Sequence, residues 1–507
     1  MHEEVAAILE MALMTARRKV LPREGMPQTV LQAPGARRVA LIVLTLCGAV
    51  AVGASSLAYA LPYAPLLAGG ALVALTALII WIRKPVWALY AAIFVVFLPI
   101  GLIPTQIQSL LNRIVTVTAA LVWLLDVIAR RRRVVLYSTS WLMLGFLAWS
   151  GLSLLWAENL SRGANTLQVF ALRLLLFLLL LPNEIQTQEH LDGLMNTLAL
   201  NGWALVLVGA YGALRQGYTA GTRFQVLSQN ENGTGIMALV ALVGVLWQVL
   251  GPGNRPGARS NVLAAAYLVL ALALTAMSGS RGSAISMVVA LLALCLWRQT
   301  RPWGAFGLLM LAVAAISAPL LFSTTLERFT ALRGDTLLGG REALWKAAWW
   351  LIRDHPMLGV GLGNVPDVIR PYVMTLRAVW DYDLVVIHNP PLTIWAETGL
   401  PGIALYLGAL GAAVTCFVRR ARGLLQANAG PLGPYMAVVA AVSAGYLCSW
   451  IKGGGMESDY SYFLMLALLV VPSLPPSAER QPGAGGAGAE PLPEGAPGAG
   501  GIGNGRR

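Results

Sequence analysis

The sequence predicts an all-α, polytopic transmembrane helical bundle with a long extracytoplasmic helical loop. Three observations predict it. Charged residues are only 12% of the 507-residue chain and hydrophobic ones are 57%, whereas soluble domains are about a quarter charged. Apolar runs of roughly 17–25 residues recur along the chain, long enough to cross a hydrocarbon core of about 30 Å. Short basic clusters separate these runs and fall in alternate loops, the pattern that orients membrane proteins.

Each element follows in order. Lipid offers backbone amides no partner, so a spanning segment is a helix or part of a closed barrel. Continuous Leu/Ala/Val runs without period-two alternation select helices. Residues 1–38 are expected to form a cytoplasmic tail, with 5–20 either a short interfacial helix or a frayed end. Residues 39–322 hold about eleven spans. They are drawn at 39–58, 65–82, 85–103, 113–129, 139–156, 165–182, 191–214, 232–250, 260–277, 282–298 and 303–322. A loop over 323–391 follows, and the spans 392–418, 433–451 and 459–473 close the bundle within 392–473. Residues 474–507 are Gly/Pro-rich and are expected to be a disordered cytoplasmic tail.

Arg83-Lys84, Arg130 to Arg133, Arg255 with Arg259, Arg298 with Arg301, and Arg419, Arg420 with Arg422 all become cytoplasmic if the N-terminus is cytoplasmic. The loop over 323–391 then lies outside the cytoplasm. No cleavable signal sequence is expected, because no small-residue cleavage motif follows the first apolar run.

The formal charge of +13 does not mark a nucleic-acid binder, because the basic residues are scattered between spans rather than gathered on one domain. Cys47, Cys295, Cys416 and Cys448 all fall inside predicted spans, which argues for buried packing residues rather than disulfides or a zinc site. The chain has no P-loop, HExxH or CxxC motif. GVGLG at 359–363 is not a dinucleotide fingerprint, since no βαβ unit surrounds it. Asp381 and Asp383 form a pattern too short to define a cation site. No cofactor and no metal are expected.

Basic residues are scarce on the outer side, so those present there need a reason. They are Arg223 in TRFQVLSQNENGTG, Arg281 in MSGSRGSAIS and Arg341 in GREALWKAAWWLIRDHP. His388 joins them in IHNPPLTIWAETGLPG, with Glu397 further along and expected within the span. An ionisable group at a membrane helix end marks a functional site by default, against the alternative of interfacial snorkelling. Arginine suits a diphosphate because its planar fork donates two parallel hydrogen bonds. Histidine can take a proton from a hydroxyl near neutral pH. Residues 340–353 read as an amphipathic helix with an apolar stripe of Leu344, Ala347, Ala348, Leu351 and Ile352. Trp345, Trp349 and Trp350 are suited either to stacking on sugars or to anchoring that helix among lipid headgroups. HPMLGVGLGN is expected to turn the chain sharply.

Taken in order, SGSRG, GRxxLWxxAxxxIxxHPxxGxGxGN and HNxxLxxxxExGxxG resemble the O-antigen ligase and O-antigen polymerase superfamily. The earlier Arg223 to Asn232 segment resembles that family's Arg-to-Asn region, and the resemblance covers about 220–405. It implies a metal-independent integral-membrane glycosyltransferase whose donor is a glycan on undecaprenyl diphosphate. The acceptor is lipid A-core, another glycan or a protein. The resemblance makes His388 the general base and gives Arg281 and Arg223 the diphosphate. It gives Arg341 a structural or substrate role, and Asn389, Glu397, Asn232 and Trp345 are the further candidates for substrate binding. O-antigen ligase is the leading label, with polymerase and protein O-oligosaccharyltransferase as alternatives. The rival from another class is a transporter or flippase. It predicts inverted repeats and mid-span ionisable groups, of which Arg173 is the main example.

Overall fold

The computed structural model describes residues 64–98, 105–216, 231–251, 257–321, 341–376, 386–426, 433–451 and 460–471. The expected span 39–58, the interfacial helix over 5–20, the tail over 474–507, Arg223, Cys47 and the Asp381/Asp383 pair lie outside the described residues, as does the side chain of Asn232.

The described chain is all helix. Seven helices in it are long and apolar enough to cross a membrane, and shorter apolar helices accompany them, as the hydropathy pattern predicts. This is an integral membrane protein of the polytopic helical kind. Its contacts divide it into two compact units, residues 1–95 with 110–134, and residues 96–109 with 135–507.

In the first unit, α1 (Ala64–Arg83) turns tightly into α2 (Pro85–Val96), with only Lys84 between them. Proline suits that position because a first-turn amide has no intrahelical partner to lose. Helix α3 (Thr105–Arg130) runs into the Arg130 to Arg133 cluster. There the buried Asp126 carboxylate takes Arg130 at 2.6 Å and Arg132 at 2.8 Å.

The second unit holds α4 (Ser138–Leu152), which ends in a 3₁₀ turn over Ser153–Trp156, and α5 (Leu160–Arg173). Helix α5 continues as a π-helical stretch, Leu174–Leu180, and a last turn, Leu181–Glu184. Then come α6 (Gln188–Gln216), α7 (Glu231–Leu250), α8 (Ala258–Met277), α9 (Arg281–Leu294) and α10 (Arg301–Leu321). The loop region contributes α11 (Arg341–Asp354) and two short helices, α12 (Val365–Val368) and α13 (Arg370–Thr375). Helices α14 (Pro390–Gln426), α15 (Gly433–Trp450) and α16 (Tyr460–Val470) complete the unit.

Small residues let these helices approach closely, as is usual where lipid supplies no hydrophobic drive between them. A Cβ on Gly244 of α7 would lie 2.3 Å from the Met195 carbonyl of α6, and one on Gly445 of α15 would lie 2.4 Å from the Ser286 carbonyl of α9. Arg173, only 1% exposed, lays its guanidinium 4.4 Å over the Tyr460 ring at the start of α16. The π-helical stretch begins at the next residue.

Three expectations are corrected. The span drawn at 392–418 is not one uninterrupted helix, because α14 is broken at Gly399 (φ 66°, ψ −168°). Glu397 therefore sits in the last turn before that break rather than within a continuous span. Cys448 is exposed on α15 rather than buried, since the interior of its helix is filled by Tyr446, Ser449 and Trp450 on other faces.

Candidate functional site

The break in α14 organises the site. Pro401 has no N–H, so the Glu397 carbonyl four residues back loses its intrahelical partner. The glycine-rich loop supplies another: Gly361 N–H donates to Glu397 at 2.8 Å, and Val360 N–H donates to the Ala396 carbonyl at 2.9 Å. In exchange, Leu400 N–H donates to the Pro356 carbonyl at 3.0 Å. The HPMLGVG and ETGLPG segments thus pair through their backbones, which satisfies the helix-end carbonyls. Glycine is required on both sides. A Cβ on Gly359 would lie 2.4 Å from Glu397 backbone, and one on Gly399 would lie 2.0 Å from the Met357 carbonyl.

The far end of the loop is fastened to α4 and α5. Leu362 N–H donates to Ser153 Oγ at 3.1 Å. The fully buried Asn364 accepts from Asn159 N–H at 2.6 Å and donates to the Leu362 carbonyl at 2.8 Å. Arg162 pairs with Asp367 at 2.8 Å. Asn364→Ala would take a partner from the half-buried Asn159 amide and from the buried Leu362 carbonyl. It is expected to cost about 2–3 kcal/mol, read as a lower thermal midpoint in detergent. A midpoint equal to wild type would show that the loop is held elsewhere.

Helix α11 packs on this assembly with the predicted stripe, and Leu344, Ala347, Ala348, Leu351 and Ile352 are all buried. They form one apolar cluster with Val360, Val365, Ile369, Val373, Ile387 and Ala396. Tyr372 of α13 donates to Asp354 at 2.6 Å. That hydrogen bond, helped by partial burial and the carboxylate charge, pushes the phenol up to about 12, so it stays protonated and donating throughout the neutral range.

Three tryptophans hold the short head of α14 by its flanks. Trp345 Nε1 donates to the Ile387 carbonyl at 3.1 Å, Trp395 Nε1 to Pro356 at 3.3 Å and Trp149 Nε1 to Thr398 at 2.7 Å. Trp349 meets Trp395 edge-on, with ring centroids 5.8 Å apart, and is half exposed.

His388 sits immediately before this head, with φ 54°. Among the described residues Arg131 is the only other non-glycine with positive φ. Such a backbone costs roughly 1–3 kcal/mol and persists only where its surroundings over-determine it. Asn389, 7% exposed, caps α14: its side-chain oxygen accepts from Leu392 N–H at 3.1 Å and its carbonyl from Thr393 N–H at 2.9 Å. Glu397 is 3% exposed, and Arg341 opens α11 half-buried.

A second group lies at the first turns of α7 and α9. Arg281 opens α9 directly after its cap Ser280, whose hydroxyl accepts from Ser283 N–H at 3.3 Å and meets Ser283 Oγ at 3.0 Å. A Cβ on Gly235 of α7 would lie 2.4 Å from Ser283 Cβ, so the turn that begins near Asn232 abuts the turn that carries Arg281. A helix N-terminus favours anions through its dipole and free amides.

Of the expected residues, His388, Asn389, Glu397, Trp345 and Arg341 belong to the loop group, and Arg281 to the helix-end group. Sequence reasoning missed Asn364, Ser153 and Trp149. The Asn that closes GxGxGN was the one available signal, because glycine turns often end in a residue that caps them.

The fold defines the class, a polytopic integral membrane protein. Residues 266–407 match the family model described as O-antigen ligase, and the chain carries that family's domain there. Over those residues the chain is similar to membrane glycan transferases of the O-antigen ligase or polymerase type. The match encloses Arg281, Arg341, Trp345, His388, Asn389 and Glu397, whereas Arg223 and Asn232 precede it. Comparison with curated proteins gives no significant match.

Proposed function

We propose that the protein transfers a glycan from undecaprenyl diphosphate to an acceptor hydroxyl on the extracytoplasmic side of a bacterial inner membrane, as an O-antigen ligase acting on lipid A-core. The observation that carries this reading is His388. It is a histidine in a left-handed backbone conformation at the head of a broken helix, inside the matched domain.

In this mechanism His388 takes the proton of the acceptor hydroxyl. The acceptor oxygen bonds to the anomeric carbon, the bond from that carbon to the phosphate oxygen breaks, and undecaprenyl diphosphate leaves with the electron pair. Negative charge grows on the departing diphosphate, and fixed donors aimed at developing charge lower the barrier. Arg281, reinforced by the α9 N-terminus, supplies such donors, and Arg223 supplies more. Guanidinium groups in these roles replace a metal. Arg341, Asn389, Glu397 and Asn232 line the substrate path. Polymerisation of glycan repeats and transfer to protein are the same reaction with another acceptor.

The test presents purified protein with undecaprenyl-diphosphate-linked glycan and separate acceptors (lipid A-core, a glycan repeat unit, a serine-bearing peptide), with and without EDTA. Transfer to lipid A-core that survives EDTA is the expected result. Product on another acceptor alone would replace the ligase label, and loss in EDTA would reject metal independence. Arg281→Lys keeps the charge but loses the bidentate fork. It is expected to lower kcat/KM by about tenfold or more, and normal transfer by that variant would remove the diphosphate role.

A further inference from the structure

We infer that Trp345 is a positioning residue for His388, acting through the peptide bond between Ile387 and His388, and is not a platform for sugar. This rests on the general-base role proposed above. The Ile387 carbonyl and the His388 N–H belong to one planar peptide group. Whatever holds that carbonyl sets the orientation of the plane, and therefore φ of His388. Trp345 Nε1 holds it at 3.1 Å. On the far side the next residue, Asn389, is anchored as the α14 cap by both its side chain and its carbonyl.

One torsion of the strained histidine is therefore tied to a named hydrogen bond, which reaches 42 residues back to α11. Burial supports the same role. Ile387 is 1% exposed within the apolar cluster, and Trp345 packs against that cluster with its ring partly buried. An indole offered to a sugar presents an open face and keeps its N–H for the ligand. Here the N–H is committed to the backbone. Helix α11 is thus the template on which the imidazole is aimed, and the Trp of the GRxxLW segment is its point of contact.

The experiment replaces Trp345 by β-(3-benzothienyl)alanine, which keeps the bicyclic ring and its stacking face but has sulfur where the N–H was. Trp345→Phe is run beside it, with wild type and His388→Ala as controls in the same transfer assay. The expected result for the sulfur isostere is kcat lower by about tenfold to a hundredfold, the cost of a misplaced catalytic group. KM for the lipid-linked donor should stay within about twofold and the thermal midpoint should be unchanged. A raised KM with kcat preserved would restore the sugar platform, and an isostere with wild-type kcat would overturn the inference. Full transfer by His388→Ala is a separate failure, since it strikes the general base and is read on a different variant.

Discussion

His388→Ala is expected to lower transfer by about a hundredfold to ten-thousandfold, the span that positioned proton transfer contributes. Insertion, detergent stability and donor binding should persist. The backbone argument sharpens this expectation. Alanine relieves none of the constraint at φ 54°, because both residues carry a Cβ, so the local fold has no reason to change. His388→Gly removes the steric penalty there. It should be at least as stable as wild type and just as inactive. The pair separates chemistry from folding, and a glycine variant that transfers at the wild-type rate would leave His388 with no chemical role. The measurement is initial transfer rate at saturating donor, with donor binding scored on the same preparations.

Gly399→Ala is expected to have the largest structural effect of any single methyl. The Gly399 backbone, φ 66° and ψ −168°, lies in a region essentially closed to residues with a side chain. The added Cβ would also fall 2.0 Å from the Met357 carbonyl, which is backbone and has no rotamer by which to withdraw. The loop would have to leave the helix end. The bonds from Val360 and Gly361 to Ala396 and Glu397 would go with it. A loss of several kcal/mol is expected, in line with strained-backbone and buried hydrogen-bond costs. Limited proteolysis of the 341–376 region reads it directly. A variant as resistant as wild type would mean that the two glycine segments are not paired as described.

The bundle was legible in the sequence because hydropathy is local: a run of Leu and Val announces a span without reference to anything distant. The stripe on α11 was legible for the same reason, and its five residues are the buried ones. The ordered motifs of the loop pointed to a family, and residues 266–407 match it.

What stayed hidden depends on pairs far apart in sequence. Trp345 read as a sugar platform or a lipid anchor because nothing near it names its partner, a carbonyl 42 residues on and just before α14. Asn389 read as a ligand contact, and nothing in the sequence showed that its side-chain oxygen also caps α14. Asn364 reaches Asn159 across 205 residues. Glu397 looked like part of a span because Gly399 and Pro401 together end a segment only when a loop replaces the lost amides. Arg173 carried the case for a transporter. Its guanidinium lies on Tyr460, where a cation–π contact gives a buried charge a place inside the protein.

The break in α14 also answers a problem of length. Thirty-seven residues of unbroken helix would extend about 55 Å, nearly twice a hydrocarbon core of roughly 30 Å. Divided at Gly399, the long arm over 400–426 measures about 40 Å, which a tilted helix with interfacial ends accommodates. The nine-residue head is left free to leave the arm's axis and lie with the loop. Because the loop's backbone bonds pin the break, the head and the His388 before it take their direction from the loop and not from the arm's axis.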